Sequence, residues 1–248
     1  MSRDERALET GLSDGGVPPA LLSGELEVLG LLPNASNGTF LARARLGDDE
    51  TLAVYKPRAG EAPLWDFPDG TLGSREVAAY VVARSLGWPL VPPTVLRDGP
   101  YGVGSVQRFV RFDPDEHYFT LLDRFPDEFV RIAAFDLVVN NADRKAGHCL
   151  LGEDGRIHVI DHGVCFSPES KLRTVIWDLA GEPIPTDLRR DVRRLALDAR
   201  SGPVRDELSA LLAEDEVEAL VERAGETAAL DRLPQPDTDR RPFPWPPI

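Results

Sequence analysis

The hydrophobic period of this chain changes once, and the change limits the folds open to it. Up to about Phe112 the apolar residues come in strand-length runs broken by Gly, Pro, Asn and Ser; beyond it they recur at helical spacing. "ELEVLGLLPNASNGTFLARARL" reads as strand, turn and strand, and "TLAVYKP" adds a third strand stopped by Pro57. After the loop "RAGEAPLWDFPDG", the run "SREVAAYVVARSLGWP" predicts a helix with Ser74 as N-cap and Gly87 as its stop. "VPPTVL" and "VGSVQRFV" predict two further strands around the turn "RDGPYG".

The second half predicts helices in "DEFVRIAAFDLVVNN", "TDLRRDVRRLALDA", "VRDELSALLA" and "EDEVEALVERAGE", with short β-like runs at "HCLL" and "IHVIDHG". A mainly β half followed by a mainly α half predicts an α+β chain of two lobes with a cleft between them. The expected divisions are a mobile arm over 1–20, an N-lobe over 21–110, a C-lobe over 111–233 and a Pro-rich tail over 234–248. Phe243, Trp245 and Ile248 give that tail apolar anchors for an extended path across the body.

Charge narrows the partners. A net charge of −14 and a pI near 4.7 repel phosphate backbones and anionic headgroups, so neither nucleic acid nor stable membrane insertion is expected. No apolar run approaches the roughly 20 residues that cross a bilayer. The opening "MSRDERALETGLSDGG" does not read as a secretory signal, and the two cysteines, Cys149 and Cys165, sit in apolar runs where reduced thiols are common. A cytoplasmic protein is expected.

Two polar islands, "NNADRKAGH" and "IDHG", carry Asp143, His148, Asp161 and His162 between apolar runs. Lysines are scarce: only Lys56, Lys145 and Lys171 occur. Lys56 lies in an otherwise apolar strand, so it must face solvent or meet an anion, and Glu76 in the next helix is a candidate partner. The turn "PNASNGTF" can offer its amides and the Ser36 and Thr39 hydroxyls to phosphate oxygens. Asp161 ends a β-like run, where a carboxylate can bind magnesium. A plain hairpin, a surface lysine and ordinary turn aspartates account for each piece alone. Together, in this order, they are the parts of a phosphoryl-transfer site.

The segments "AVYKP", "EVAAYVVARSLGWPLVPPTV", "SVQRFV", "NNADRKAGHCLL" and "VIDHGVCF" resemble the phosphatidylinositol 3- and 4-kinase family, nearest its type II 4-kinases, in an actinobacterial branch. The likeness runs from about Asn34 to Phe166 and implies a two-lobed protein-kinase-like fold using ATP with magnesium or manganese. It makes Lys56 the lysine on the α- and β-phosphates, with Glu76 as its helix partner and Ser36, Asn37, Gly38 and Thr39 in the phosphate turn. Gln107, Arg108, Phe109 and Val110 become the hinge beside adenine. Asp143 becomes the catalytic aspartate, Lys145 falls near the γ-phosphate, and Asp161 with His148 forms the metal site.

The family usually has Asn where this chain has His148, and often Asn where it has His162. The implied activity is transfer of the γ-phosphate to a hydroxyl of an unidentified acceptor: a protein, a small molecule or, less readily, a phosphoinositide. The loop between Lys56 and Glu76 lacks the cysteine cluster of the type II lipid kinases. Two alternatives remain open: a nucleotide-binding pseudokinase, and a metallohydrolase built on Asp143, His148, Asp161 and His162 with His158 nearby.

Overall fold

The computed structural model describes residues 16–32 and 38–248. The strand-length runs form one antiparallel sheet of β1 (Glu25–Leu31), β2 (Phe40–Leu46), β3 (Asp49–Pro57), β4 (Thr94–Gly99) and β5 (Gly102–Arg108), in the order β1-β2-β3-β5-β4. β3 is thus the central strand, with Tyr55 opposite Phe40 on one side and Lys56 opposite Ser105 on the other. Side chains alternate across a strand. Ala53 and Tyr55 enter a small core with Leu26, Ala42, Ala44 and Val106, so Lys56 between Tyr55 and Pro57 is turned to the opposite face.

A short helix, α1 (Pro19–Ser23), adds Ala20 and Leu21 to that small core. This corrects the expected mobile arm, which cannot extend to residue 20; residues 1–15 lie outside the described residues. Helix α2 (Leu72–Leu86) begins two residues before Ser74, which is buried inside it. Its first amides are held by a loop carboxylate, not by a side chain at the cap: Gly73 N donates to Glu61 Oε1 at 3.1 Å and Leu72 N to Oε2 at 3.4 Å. Gly87 ends the helix at φ 76°, a conformation that costs glycine little.

The second half supplies α3 (Tyr118–Leu121), α4 (Pro126–Val139), α5 (Thr186–Asp198), α6 (Pro203–Ser209) and α7 (Glu214–Ala229), with a small hairpin of β6 (Cys149–Leu151) and β7 (Ile157–Val159). In α4 a proline opens the first turn and Asp127 and Glu128 face the positive end of the helix dipole. Phe129, Ile132, Phe135, Val138 and Val139 are buried in the larger core, which also takes Ala78 to Ala83 and Leu86 of α2. Helix α2 therefore belongs to both lobes. Arg75, fully buried, reinforces the join: it pairs with Glu216 of α7, donates from Nη1 to Cys165 O at 2.7 Å and lies 4.9 Å from the Phe67 ring centroid.

Cys149 and Cys165 are both buried and free, as the sequence led us to expect. Among the described residues no helix is long and apolar enough to cross a membrane. The Pro-rich tail takes the extended path: Thr174 N donates to Pro242 O at 3.0 Å, and Ala146 N to Pro247 O at 2.8 Å.

Candidate active site

The cleft face of β3 meets the inward face of α2. Lys56 Nζ donates to Glu76 Oε1 at 2.6 Å and also to Asp161 Oδ1, so one ammonium joins strand, helix and the loop after β7. Burial pulls the Lys56 pKa down, but the facing carboxylates of Asp161 and Glu76 outweigh it and hold the group above its ordinary value. Lys56 draws Asp161 the other way, well below the usual carboxylate range and against the cost of burial. Both groups are charged at neutral pH. Asp161 adopts φ 63°, a left-handed conformation that asparagine and aspartate tolerate better than most residues. The backbone beyond it turns sharply, and His162 N donates to Glu76 Oε2 at 3.2 Å. Glu76 is thereby fixed at both oxygens.

Asp143 lies in the loop after α4. Its amide donates to Asn141 Oδ1 at 2.9 Å, and its carboxylate sits 3.5 Å from Lys145 Nζ. Burial pushes the Asp143 carboxyl up, partly offset by Lys145, and Asp161 is near enough to add repulsion. A raised carboxylate is a better proton acceptor, which suits a group that must take a proton from a hydroxyl.

Beneath this loop runs a buried network that the motif reading missed. Asp136, inside α4 and fully buried, accepts from Arg144 Nη2 at 2.8 Å, from Arg144 Nε at 3.0 and 3.2 Å, and from Asn141 Nδ2 at 3.0 Å. Arg144 also donates from Nη1 to Ile160 O at 3.0 Å, and its Nη2 lies 2.8 Å from His162 Nε2. A guanidinium has no acceptor, so His162 Nε2 must be bare and accept. His162 is a neutral structural residue joining the two polar islands. One signal was available in the sequence: Asp136 stands in an apolar helix, and a buried carboxylate requires a partner.

His148 is different. Lys145 N donates to its Nδ1 at 3.3 Å, which leaves the hydrogen on Nε2, 3.3 Å from Asp161 Oδ2. In this tautomer the protonated Nε2 lies beside Asp161; to ligate a metal through it His148 would have to shift the proton and give up the Lys145 bond. The expected His148–Asp161 metal pair is therefore revised: the carboxylate fits, the imidazole does not in this arrangement. Among the described residues no three His, Cys, Asp or Glu side chains are grouped to hold an ion by themselves. Magnesium commonly uses one or two carboxylates and completes its shell with substrate phosphates and water, so Asp161 fits that role. Two histidines of the metallohydrolase set are engaged elsewhere: His162 by Arg144, and His158, whose Nε2 lies 3.1 Å from Asp154.

Burial pushes the His148 pKa down to about 4, with Arg144, Lys145 and Lys56 adding to the shift and Asp161 opposing it. An unfolded histidine takes its proton near 6.5, so between 6.5 and 4 the unfolded chain binds more protons than the folded one. His162 and His158 shift in the same direction. Urea unfolding should therefore give a stability that changes little between about pH 7 and pH 8 and falls as pH drops through that window; equal stability at pH 7 and pH 5 would contradict this account of the histidines.

Ser36 and Asn37 of the expected phosphate turn lie outside the described residues. Its other half is placed: Gly38 N donates to Gly60 O at 3.1 Å, and a Cβ on Gly60 would come within 3.1 Å of the Gly38 backbone, so this close crossing favours glycine. Thr39 is buried, its carbonyl accepting from Leu32 N at 2.8 Å. In the expected hinge, Gln107 Nε2 donates to Thr94 Oγ1 at 2.9 Å, Arg108 N to Pro93 O at 2.8 Å and Phe109 N to Leu52 O at 2.9 Å. Two hinge amides are thus already committed, and an adenine ring would have to use Val110 or the carbonyls of the segment.

A family model described as "Phosphatidylinositol 3- and 4-kinase" matches residues 96–212. "Protein Rv2133c" of Mycobacterium tuberculosis (strain ATCC 25618 / H37Rv) is 42% identical over 261 residues, covering 91% of this chain and 93% of that protein. The chain belongs to the phosphatidylinositol 3- and 4-kinase family. Phosphatidylinositol 4-kinase gamma 4 of Oryza sativa subsp. japonica is 30% identical over 204 residues, covering 70% of this chain but only 36% of the plant protein's length. Among solved structures, the Helicobacter pylori proinflammatory kinase CtkA superposes with a TM-score of 0.53 at 11% identity, covering 82% of this chain and 92% of that one. The family's two-lobed kinase-like fold is thus the fold of this chain, an antiparallel sheet with one long helix above a helical lobe.

Proposed function

We propose that this kinase-like protein is an ATP- and metal-dependent phosphotransferase that passes the γ-phosphate of ATP to a hydroxyl group of an acceptor. The observation that carries the reading is the Lys56 ammonium, fixed between Glu76 of α2 and Asp161 of the opposite lobe, with Asp143 near enough to Asp161 to feel its charge. Lys56 serves the α- and β-phosphates in this reading, and the bond to Glu76 keeps it from wandering. Asp143 accepts or orients the acceptor proton, and Lys145 lies beside it for the γ-phosphate. Asp161 would hold the metal, with His148 close beside it. The metal supplies neutralisation of the charge on the transferred phosphoryl group. The acidic chain favours a protein or small-molecule hydroxyl over an anionic lipid headgroup as acceptor.

One observation favours a second reading, a nucleotide-binding pseudokinase: one Asp161 oxygen is engaged by Lys56 and the other has His148 Nε2 3.3 Å away, so a metal has to compete for the carboxylate. Calorimetry with ATP and magnesium, then manganese, on the wild type and Asp161→Asn tests the shared part of both readings. The wild type should bind ATP at least about tenfold more tightly with metal than without, about 1.4 kcal/mol, and Asp161→Asn should lose that dependence. ATP binding that ignores metal in both proteins would sink the assignment of Asp161, and no binding in either would sink both readings.

A further inference from the structure

We propose that the tail, residues 234–248, is a strap that positions the catalytic loop; the inference rests on the phosphotransfer reading of that loop. The strap is tethered where it begins. Leu233 N donates to Glu182 O and Gly181 N to Leu233 O, each at 2.9 Å, which fixes the chain leaving α7. It then crosses the segment that follows Asp161. Arg240 Nη1 donates to Ser170 O at 2.7 Å, while Pro242 O accepts from Thr174 N at 3.0 Å and from Trp177 Nε1 at 2.9 Å. Pro244 is buried, and Pro247 O accepts from Ala146 N at 2.8 Å.

Ala146 is fully buried and stands between Lys145 and His148, in the loop that carries Asp143. The same loop is tied on its other side to residues 173–175: Arg144 N donates to Arg173 O at 2.9 Å, Arg173 N to Asn141 O at 2.9 Å and Val175 N to Arg144 O at 3.1 Å. The strap therefore binds both members of this pair, Thr174 on one and Ala146 on the other. A catalytic loop held from two sides keeps its carboxylate in place, and misplacement by about 1 Å can cost on the order of a hundredfold in rate.

Two features decide in favour of bracing over blocking. The Asp143 and Asp161 side chains remain 34% and 48% exposed with the strap in place, so the strap does not cover them. Six of its fifteen residues are proline, which restricts the free segment and lowers the entropy lost on docking. Trp245 is 76% exposed and has its ring 5.7 Å from the Arg241 guanidinium.

The test loosens the strap in the full-length chain with Trp177→Phe, Arg240→Ala and Pro244→Asp together, and with Trp177→Phe alone as a milder variant whose fold is not at risk. Hydrogen exchange at Ala146 and Thr174 reports docking directly, calorimetry reports ATP affinity, and release of γ-phosphate from ATP to water reports the loop. The expected result is exchange at both amides at least about tenfold faster in the triple variant, ATP affinity within about twofold of wild type and turnover lower by about tenfold or more, with Trp177→Phe shifting the same quantities less. Wild-type amides that exchange like an open chain would overturn the docking itself. Released amides with unchanged turnover would overturn the positioning role, and released amides with faster turnover would replace it with autoinhibition. A wild type that protects both amides yet neither binds nor turns over ATP would overturn the catalytic role together with the reading it rests on, leaving the docked strap as architecture.

Discussion

Lys56→Met is expected to lower γ-phosphate release by at least about a hundredfold, the scale on which a single donor to a developing negative charge contributes. The side chain lies in the central strand, is turned to the cleft by the alternation that buries Tyr55, and its ammonium meets Glu76 at 2.6 Å and Asp161 beside it. Methionine keeps the stem and removes the charge. Glu76 and Asp161 then face each other without a cation between them, and in a pair of close carboxylates one tends to take a proton. The loss is therefore double: no cation for the phosphates, and an Asp161 no longer held far below its usual range for metal binding. Calorimetric ATP affinity and phosphate release, measured on the same preparations, check it. Turnover within about threefold of wild type, well under 1 kcal/mol of transition-state stabilisation, would remove Lys56 from the site.

Asp136→Ala is expected to have the largest effect on stability, about 3–5 kcal/mol, because it leaves the Arg144 guanidinium buried without its counter-charge. Neither side chain of the pair is exposed, and the carboxylate also accepts from Asn141. For a chain of this size that loss corresponds to a melting temperature lower by roughly 6–20 °C. The double replacement Asp136→Leu with Arg144→Met separates stability from function. Packed apolar residues recover much of the stability lost on breaking the pair, while Ile160 O, His162 and Asn141 lose the partners that set the two polar islands against each other. Melting curves of the single and double variants check both halves; an Asp136→Ala protein as stable as wild type would mean that the ion pair does not hold the loop.

The strands and long helices could be read from the sequence because their apolar residues repeat with periods of two and of about 3.6. Lys56 and Glu76 stood out for the same reason: a charge in an apolar strand has to find a partner. What escaped the reading depends on pairs brought together only by the fold. Glu61 caps α2 from a loop that looks structureless in sequence. Arg75 and Glu216 are far apart in the chain and meet in the larger core. His162 looked like an altered metal-site residue, yet its ring serves Arg144. The role of His148 turned on which of its nitrogens carries the hydrogen, which only the neighbouring Lys145 amide decides. Proline content foretold an extended tail but not that its carbonyls would meet the amides of Ala146 and Thr174.

Phosphate release from ATP by the wild type and by Asp161→Asn, each at nucleotide and metal concentrations that calorimetry places at saturation, tests the central claim most directly. The account predicts steady, metal-dependent release by the wild type and a loss of at least about a hundredfold in the variant. Saturated wild-type protein that releases no phosphate, alone or with any hydroxyl acceptor offered, would contradict it and leave a nucleotide-binding pseudokinase.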